Sequence, residues 1–260
     1  MNILITGGNG YIGKSLCHHL KKNYNVRSIS RNDFDITNKQ DCLNWFKNKF
    51  FDVVIHTAAV GGSRLRTDDI SVLDENVALY NNIISCKSHF KKMIYFGSGA
   101  EIFNPATFYG TSKKNINELI CSTDNVYNLR IFSVFDENEL NTRFIKANIL
   151  RYINKEPLII HTNKIMDFFY MKDLAKLVEY YINTENPTKT LNCSYETKST
   201  LVNIANFINN LSTHKVTLNI QNKDVLEFYC GNSNLPIKTI GLEHGILNTY
   251  KIIKNNSCII

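Results

Sequence analysis

Asn2-Ile-Leu-Ile-Thr6-Gly7-Gly8-Asn9-Gly10-Tyr11-Ile12-Gly13 is the stretch that decides the fold. Asn2 to Thr6 is a short apolar run that suits a buried strand. Gly7, Gly10 and Gly13 follow in a T-G-x-x-G-x-x-G pattern. A helix is expected at once, over Tyr11 to Lys22. Gly7 permits a sharp turn off the strand. Gly10 lets a pyrophosphate approach the backbone, and Gly13 lets the helix lie close to the sheet. The exposed amides of the helix's first turn and the positive end of its dipole suit phosphates. A glycine triplet alone is weak evidence; placed between a strand and a helix it reads as a dinucleotide cradle.

Working outward, Asn25 to Ser30 reads as a second strand, and its end bears on the choice of cofactor. A carboxylate there would bind the adenine ribose hydroxyl and repel a phosphate. Ser30-Arg31 instead places a hydroxyl and a guanidinium, which suit the extra phosphate of NADP. Asp33 and Asp35 lie close behind, so Arg31 as an ordinary surface residue is the competing reading. Asp35 can accept a hydrogen bond from an adenine amino group, or it can serve turn chemistry before a helix capped by Thr37 or Asn38. Asp52 to Thr57 reads as a third strand, followed by Ala58-Ala59-Val60-Gly61-Gly62. These small residues let a ligand pass closely. A helix over Asp69 to Lys87 and a strand over Lys92 to Ser98 follow. This alternation predicts an α/β fold, a doubly wound parallel sheet with right-handed crossovers.

Tyr109-Gly-Thr-Ser-Lys113 opens the next helix. A tyrosine and a lysine four apart share one helical face. A lysine ammonium so placed favours an ionised phenol, so Tyr109 is the candidate acid/base for a carbonyl or hydroxyl.

Composition narrows the function. The 260 residues carry a formal net charge of +7 and 43% hydrophobic residues, enough for a sizeable core. The lysines are scattered, without a basic arm, which disfavours nucleic acid but suits an anionic substrate. Seven cysteines, at positions 17, 42, 86, 121, 193, 230 and 258, form no C-x-x-C pair. Reduced thiols in a cytoplasmic setting are expected, with no metal site. No signal peptide, membrane span or prenylation box at Cys258 fits the sequence.

Several motifs occur together: T-G-G-N-G-Y-I-G, H-T-A-A-V-G-G, Y-F-G-S-G-A-E, Tyr109-x-x-x-Lys113, Asn128-Leu129-Arg130, and Asp167-Phe168 through Asp173. Over roughly residues 1–182 the chain resembles the extended short-chain dehydrogenase/reductases. It is most similar to the sugar-nucleotide epimerase/dehydratase branch, in particular GDP-fucose synthases and 4-keto-6-deoxysugar reductases. The resemblance implies a Rossmann domain over residues 1–132 and a small α+β sugar-nucleotide domain over 133–260. It implies hydride exchange at sugar C4 with NADP, or alternatively NAD. It places Gly7, Gly10, Tyr11, Ile12, Gly13, Arg31, Asp35, Ile36, Ala58 and Ala59 at the cofactor. Tyr109 would be the acid/base and Lys113 would bind the nicotinamide ribose. Gly99, Glu101, Ser133, Arg143 and Lys146 would meet a nucleotide-sugar substrate. A homodimer through the helices Asp69–Lys87 and Tyr109–Cys121 is implied as well.

Departures from the family pattern shape the expectations. The catalytic Ser/Thr position, three before Ile102, holds Gly99. Either Ser98, one residue early, supplies the hydroxyl, which is the favoured reading, or a hydroxyl such as Thr107 substitutes, or the site is weakened. The acidic pair of dehydratases reads Ala100-Glu101, which argues against elimination of water; Glu101 either contacts sugar or is a solvated loop acid. Met166 stands where the family usually has a phosphate-binding arginine, leaving Lys164 or Arg143 for that task. Three readings follow: a 4-ketoreductase, a 4-epimerase with tightly bound NAD, and a non-catalytic NADP-binding module.

Overall fold

The computed structural model describes residues 1–63, 66–232 and 234–257; Cys258 lies outside them. Contacts divide the chain into two compact units. One is Met1–Ile131 with Ala175–Asn192, the other Phe132–Leu174 with Cys193–Ile260.

The first unit is built on strands β1 (Asn2–Thr6), β2 (Asn25–Ile29), β3 (Phe51–His56), β4 (Phe90–Ser98) and β5 (Val126–Ile131). Helices α1 (Tyr11–Leu20), α2 (Lys39–Phe46), α3 (Ile70–Ser85), the short α4 (Ala100–Phe103) and α5 (Phe108–Cys121) alternate with them. Strands β1 to β5 pair in parallel, and the sheet order is β2-β1-β3-β4-β5, with a later strand, Thr190–Cys193, beside β5. Because the period of a strand is two, each one feeds both faces. Leu4, Val54, Met93 and Tyr95 join a core with Leu79, Tyr80, Ile116 and Ile120 of α3 and α5. Ile3, Ile5, Val53 and Ile55, the alternate residues, are equally buried. Burial on both faces explains why the central strands β1 and β3 read as nearly continuous apolar runs, whereas the edge strand β2 buries only Ile29 fully. The chain leaves β1 for β2 on one side and returns with β3 on the other. That switch of direction opens a crevice at the carboxyl ends of β1 and β3, the usual ligand position in such sheets.

The second unit begins with β6 (Val134–Phe135), α6 (Phe144–Ile153), β7 (Leu158–Met166) and β8 (Phe169–Tyr170). Helix α7 (Met171–Asn183) and strand β9 (Thr190–Cys193) follow, and most of both lies in Ala175–Asn192, the segment that belongs to the first unit. Then come α8 (Leu201–Asn209), β10 (Leu218–Tyr229) and α9 (Leu242–Ser257). β10 pairs with β7 and β6 with β8, both in parallel. Ile145, Ile149, Leu158, Ile160, Ile204, Ile208 and Ile246 form its core. β10 is the longest strand of this unit, twelve residues from Leu218 to Tyr229. α4 has no counterpart in the sequence reading; Ala100 and Glu101 are buried in it while Ile102 and Phe103 are exposed, so no simple periodicity marks it.

The six described cysteines are free thiols. No described helix is long and apolar enough to cross a membrane, and the described residues contain no cluster of potential metal ligands.

Candidate functional site

The glycine turn sits where β1 meets β3. Gly7 has φ +68°, left-handed backbone that disfavours a side chain, and a Cβ there would lie 2.7 Å from the Ala58 nitrogen. Gly10 N donates to Gly7 O at 2.9 Å, closing the turn. A Cβ on Gly13 would stand 2.4 Å from Gly7 O, so only glycine lets α1 start this close to the turn. The amino-terminal cap, Gly10, supplies no side-chain hydrogen bond to α1, and the first turn holds no acid. A helix start without a side-chain cap or an acid suits an anion, and the space beside it would be closed by any larger residue. These features fit the pyrophosphate of a dinucleotide. Tyr11 and Ile12 are half-buried at the same helix start, as is Ala58, while Ala59 is exposed.

The end of β2 differs from the sequence reading. Arg31 is exposed and paired with Glu75 of α3. Asp33 folds back so that its Oδ2 accepts the Ser30 N–H at 2.8 Å and stands 3.3 Å from Ser30 Oγ. An acid therefore does stand at this strand end, three residues later than the position where the sequence shows none. Asp35 serves the turn: its Oδ1 accepts the N–H and hydroxyl of Thr37, which holds its carboxyl below the usual range. Asn38, not Thr37, caps α2, accepting from Gln40 and Asp41. Ile36 is core.

Tyr109 and Lys113 lie on α5, with Lys113 Nζ 5.6 Å from the Tyr109 ring centroid. Thr107 caps this helix: its Oγ1 accepts Gly110 N–H at 3.0 Å and donates to Asn104 O at 2.8 Å. The one proton of that hydroxyl is committed to Asn104 O. The Tyr109 ring rests on Gly62, where a Cβ would come within 2.8 Å of it. Asn76 of α3 ties the Ala58–Gly62 loop to α5. Its amide bridges Val60 N and Val60 O at 3.0 Å each and donates to Ser112 Oγ at 3.2 Å, and Ser112 in turn donates to Tyr109 O. Lys113 is 3% exposed. Its Nζ donates to Tyr95 Oη at 2.7 Å and to Phe96 O at 3.0 Å. Burial pushes its pKa down to about 8, against the attraction of Glu101.

Ser98 ends β4 and Gly99 is the amino-terminal cap of α4. Ser98 Oγ accepts Ala100 N–H at 3.2 Å, which leaves its own proton free to be donated. Gly99 N donates to Ile131 O. Glu101 is neither solvated nor free. Its carboxylate is 2% exposed and takes the Arg130 guanidinium on Oε2, with Nε and Nη2 each at 2.8 Å. Oε1 accepts the Ser98 N–H at 2.8 Å, and Arg130 Nη1 donates to Asn192 at 2.8 Å. The acid is thereby built into the frame that holds the Ser98 loop.

In the second unit, Ser133, Arg143 and Lys146 come together around Glu139. Arg143 Nη2 donates to Ser133 Oγ at 3.1 Å and Lys146 Nζ to Glu139 O at 2.7 Å. Burial pushes the Glu139 carboxyl up to about 8, with Arg143 pulling the other way. Lys164 pairs with Glu227 at 3.6 Å. Asp173 accepts from Ile240 N, Gly241 N and the Tyr195 hydroxyl, anchoring the segment before α9. A cleft of about 820 Å³ in this unit is lined by Tyr195, Thr197, Asn234, Thr239 and His244 among others.

Sequence reasoning missed His56 and Tyr95. His56, at the end of β3, is buried, with Nδ1 2.8 Å from Thr6 Oγ1 and its ring stacked on Tyr95. Burial and then the Lys113 charge push its pKa down to about 3, so it is neutral. The available signal was a polar ring inside each of two apolar strands.

The family model "NAD dependent epimerase/dehydratase family" matches residues 3–194. Among curated proteins, CDP-abequose synthase of Yersinia pseudotuberculosis is 25% identical over 250 residues, covering 84% of this chain and 87% of that protein. Among solved structures, GDP-mannoheptose C4 reductase from Campylobacter jejuni with NADP bound superposes with a TM-score of 0.81 at 16% identity, covering 97% of this chain and 98% of that one. UDP-glucuronic acid 4-epimerase from Bacillus cereus, in complex with UDP-glucuronic acid and NAD, superposes at 0.78 with 19% identity, covering 98% and 100%.

Proposed function

The chain belongs to the NAD dependent epimerase/dehydratase family and is an NAD(P)-dependent enzyme, and from that premise we propose that it is an NADPH-dependent reductase of a nucleotide-linked 4-keto-6-deoxyhexose. The carrying observation is that Lys113 stands beside Tyr109 while Glu101, the one acid of the Ser98 loop, is locked to Arg130. An acid so bound is not available to eliminate water, which leaves hydride chemistry at C4. The names of the relatives, a CDP-abequose synthase and a GDP-mannoheptose C4 reductase, support a nucleotide sugar.

In this reading Gly7, Gly10 and Gly13 with the first amides of α1 hold the cofactor's pyrophosphate, and Lys113 holds the nicotinamide ribose. When bound, the reduced nicotinamide supplies a hydride for the C4 carbonyl carbon. Tyr109 gives its phenolic proton to the oxygen that becomes the new hydroxyl, and Ser98 donates a hydrogen bond to the same oxygen. The Lys113 ammonium offsets the negative charge left on the phenol until solvent returns a proton. Ser98 is favoured over Thr107 because the Thr107 hydroxyl is engaged in the α5 cap. The second unit, with Ser133, Arg143 and Lys146, takes the nucleotide diphosphate, Arg143 exchanging Glu139 for a phosphate. A homodimer through α3 and α5 is part of the same reading, supported by exposed Ile70, Phe108 and Leu119.

Asp33 supports a second reading. A carboxylate on Ser30 suits ribose hydroxyls and opposes a phosphate, as a 4-epimerase with bound NAD requires. Assaying a panel of nucleotide-4-keto-6-deoxysugars with NADPH and NADH separates the two. The reductase reading expects NADPH consumption matched by loss of ketone. Purified protein carrying NAD, and interconverting 4-epimers without net nicotinamide turnover, would establish the epimerase instead. Arg31→Ala is expected to lower the NADPH-over-NADH preference in Kd by about ten- to a hundredfold, the worth of a charge-assisted phosphate contact. An unchanged preference would remove Arg31 from the cofactor site.

A further inference from the structure

Two of the three N–H bonds of the Lys113 ammonium point into protein, one to Tyr95 Oη at 2.7 Å and one to Phe96 O at 3.0 Å. Phe96 O is backbone and comes with any residue at that position. Tyr95 is a specific choice. It lies on β4, eighteen residues before Lys113 in sequence, at an inward position that an aliphatic residue would fill equally well.

Tyr95 is itself held on two sides. The His56 ring stacks on it at 5.8 Å with an interplanar angle of 24°, and Tyr80 of α3 meets it edge-on at 5.7 Å. His56 is oriented by Thr6, the last residue of β1, through the 2.8 Å contact between Nδ1 and Oγ1. Its Nε2 has no hydrogen-bond partner among the described residues. A contact chain thus runs from the end of β1, beside the glycine turn, through His56 and Tyr95 to Lys113. The Lys113 ammonium also stands 4.5 Å from the Tyr95 ring centroid, so hydroxyl and ring hold it together.

We propose that Tyr95 is a positioning residue for Lys113: its hydroxyl clamps the ammonium from the sheet side, fixing the direction of the one N–H that is left for a ligand among the described residues. This rests on the reading of Lys113 as a cofactor-binding residue only for its consequence, not for the clamp. The clamp follows from chemistry. A flexible four-carbon side chain carries large rotamer entropy, and a buried ammonium needs acceptors to remain charged. The groups around Lys113 are few: Tyr95 and Phe96 O from β4, and neutral His56 from β3 behind Tyr95. Tyr80 comes from α3, Glu101 from α4 with its partner Arg130 on β5, and Tyr109 lies on the same helix. Glu101 is neutralised by Arg130, so Tyr95 is the side-chain acceptor in direct contact with the ammonium.

The test reads Lys113 directly. The full chain is labelled with 13Cε-lysine, and Lys113, assigned by its absence in Lys113→Met, is titrated by NMR in wild type, Tyr95→Phe and Tyr80→Phe. Tyr95→Phe keeps the ring and removes the acceptor, so the Lys113 midpoint is expected to fall by about one pH unit. Tyr80→Phe removes a neighbouring phenol hydroxyl that does not contact Lys113 and is expected to leave the midpoint in place. A midpoint unmoved in Tyr95→Phe, or moved equally in Tyr80→Phe, overturns the clamp. NADPH binding, followed by its fluorescence, supplies the second arm. Tyr95→Phe is expected to bind NADPH up to about tenfold more weakly above pH 8 and equally well near pH 6. A shifted midpoint with pH-independent NADPH affinity upholds the clamp and takes Lys113 out of the cofactor site.

Discussion

Tyr109→Phe is expected to lower kcat by about a hundred- to ten-thousandfold, the worth of a positioned general acid. The ring that rests on Gly62 is retained, and Lys113 keeps its bonds to Tyr95 and Phe96. KM and the NADPH Kd should therefore stay within about threefold of wild type, as for a group that acts only in the transition state. Steady-state kinetics with a nucleotide-4-keto sugar, beside NADPH titration of the same preparation, separate the two quantities. A kcat within about twofold of wild type would mean that another group delivers the proton. A KM that rises while kcat holds would make Tyr109 a binding residue.

Arg130→Met is the largest expected loss of stability. It leaves the Glu101 carboxylate, 2% exposed, without its cation. Breaking a buried ion pair from one side costs about 3–5 kcal/mol, because the remaining charge is stranded. For a chain of this size that corresponds to a drop of roughly 10 °C in Tm. The loss should be partly reversed by adding Glu101→Gln. The amide oxygen can still accept the Ser98 N–H, and no buried charge remains. Urea denaturation of the two single variants and the double variant forms the cycle. If Arg130→Met is within about 1 kcal/mol of wild type, the ion pair is not what holds the Ser98 loop.

Features set by local rules were legible in the sequence. The glycines between β1 and α1 announce themselves because positive φ and the close approach of helix to turn exclude other residues. Tyr109 and Lys113 share a face of α5 by arithmetic alone. The alternation of apolar strands with helices through β4 pointed to the parallel sheet. What escaped depends on contacts distant in sequence or on side chains that fold back. Asp33 reaches three residues back to Ser30, so the strand end carries an acid that its own sequence lacks. Glu101 reads as a loop acid until Arg130, on β5, is seen against it. Thr107 offers a hydroxyl on paper that the α5 cap consumes. Thr190–Cys193 gives no strong pattern in four residues, yet it extends the main sheet beside β5. Tyr95 looks like core packing, and only the approach of Lys113 shows what its hydroxyl holds.

The most direct measurement is a single turnover with NADPH deuterated at the transferable position and a nucleotide-linked 4-keto-6-deoxyhexose, run on wild type and Tyr109→Phe. Wild type should yield one deuterium at sugar C4 for each NADP formed, and the variant should give the same label at the slowed rate. Deuterium that stays on the cofactor while the sugar changes configuration, or that never reaches C4, would contradict it.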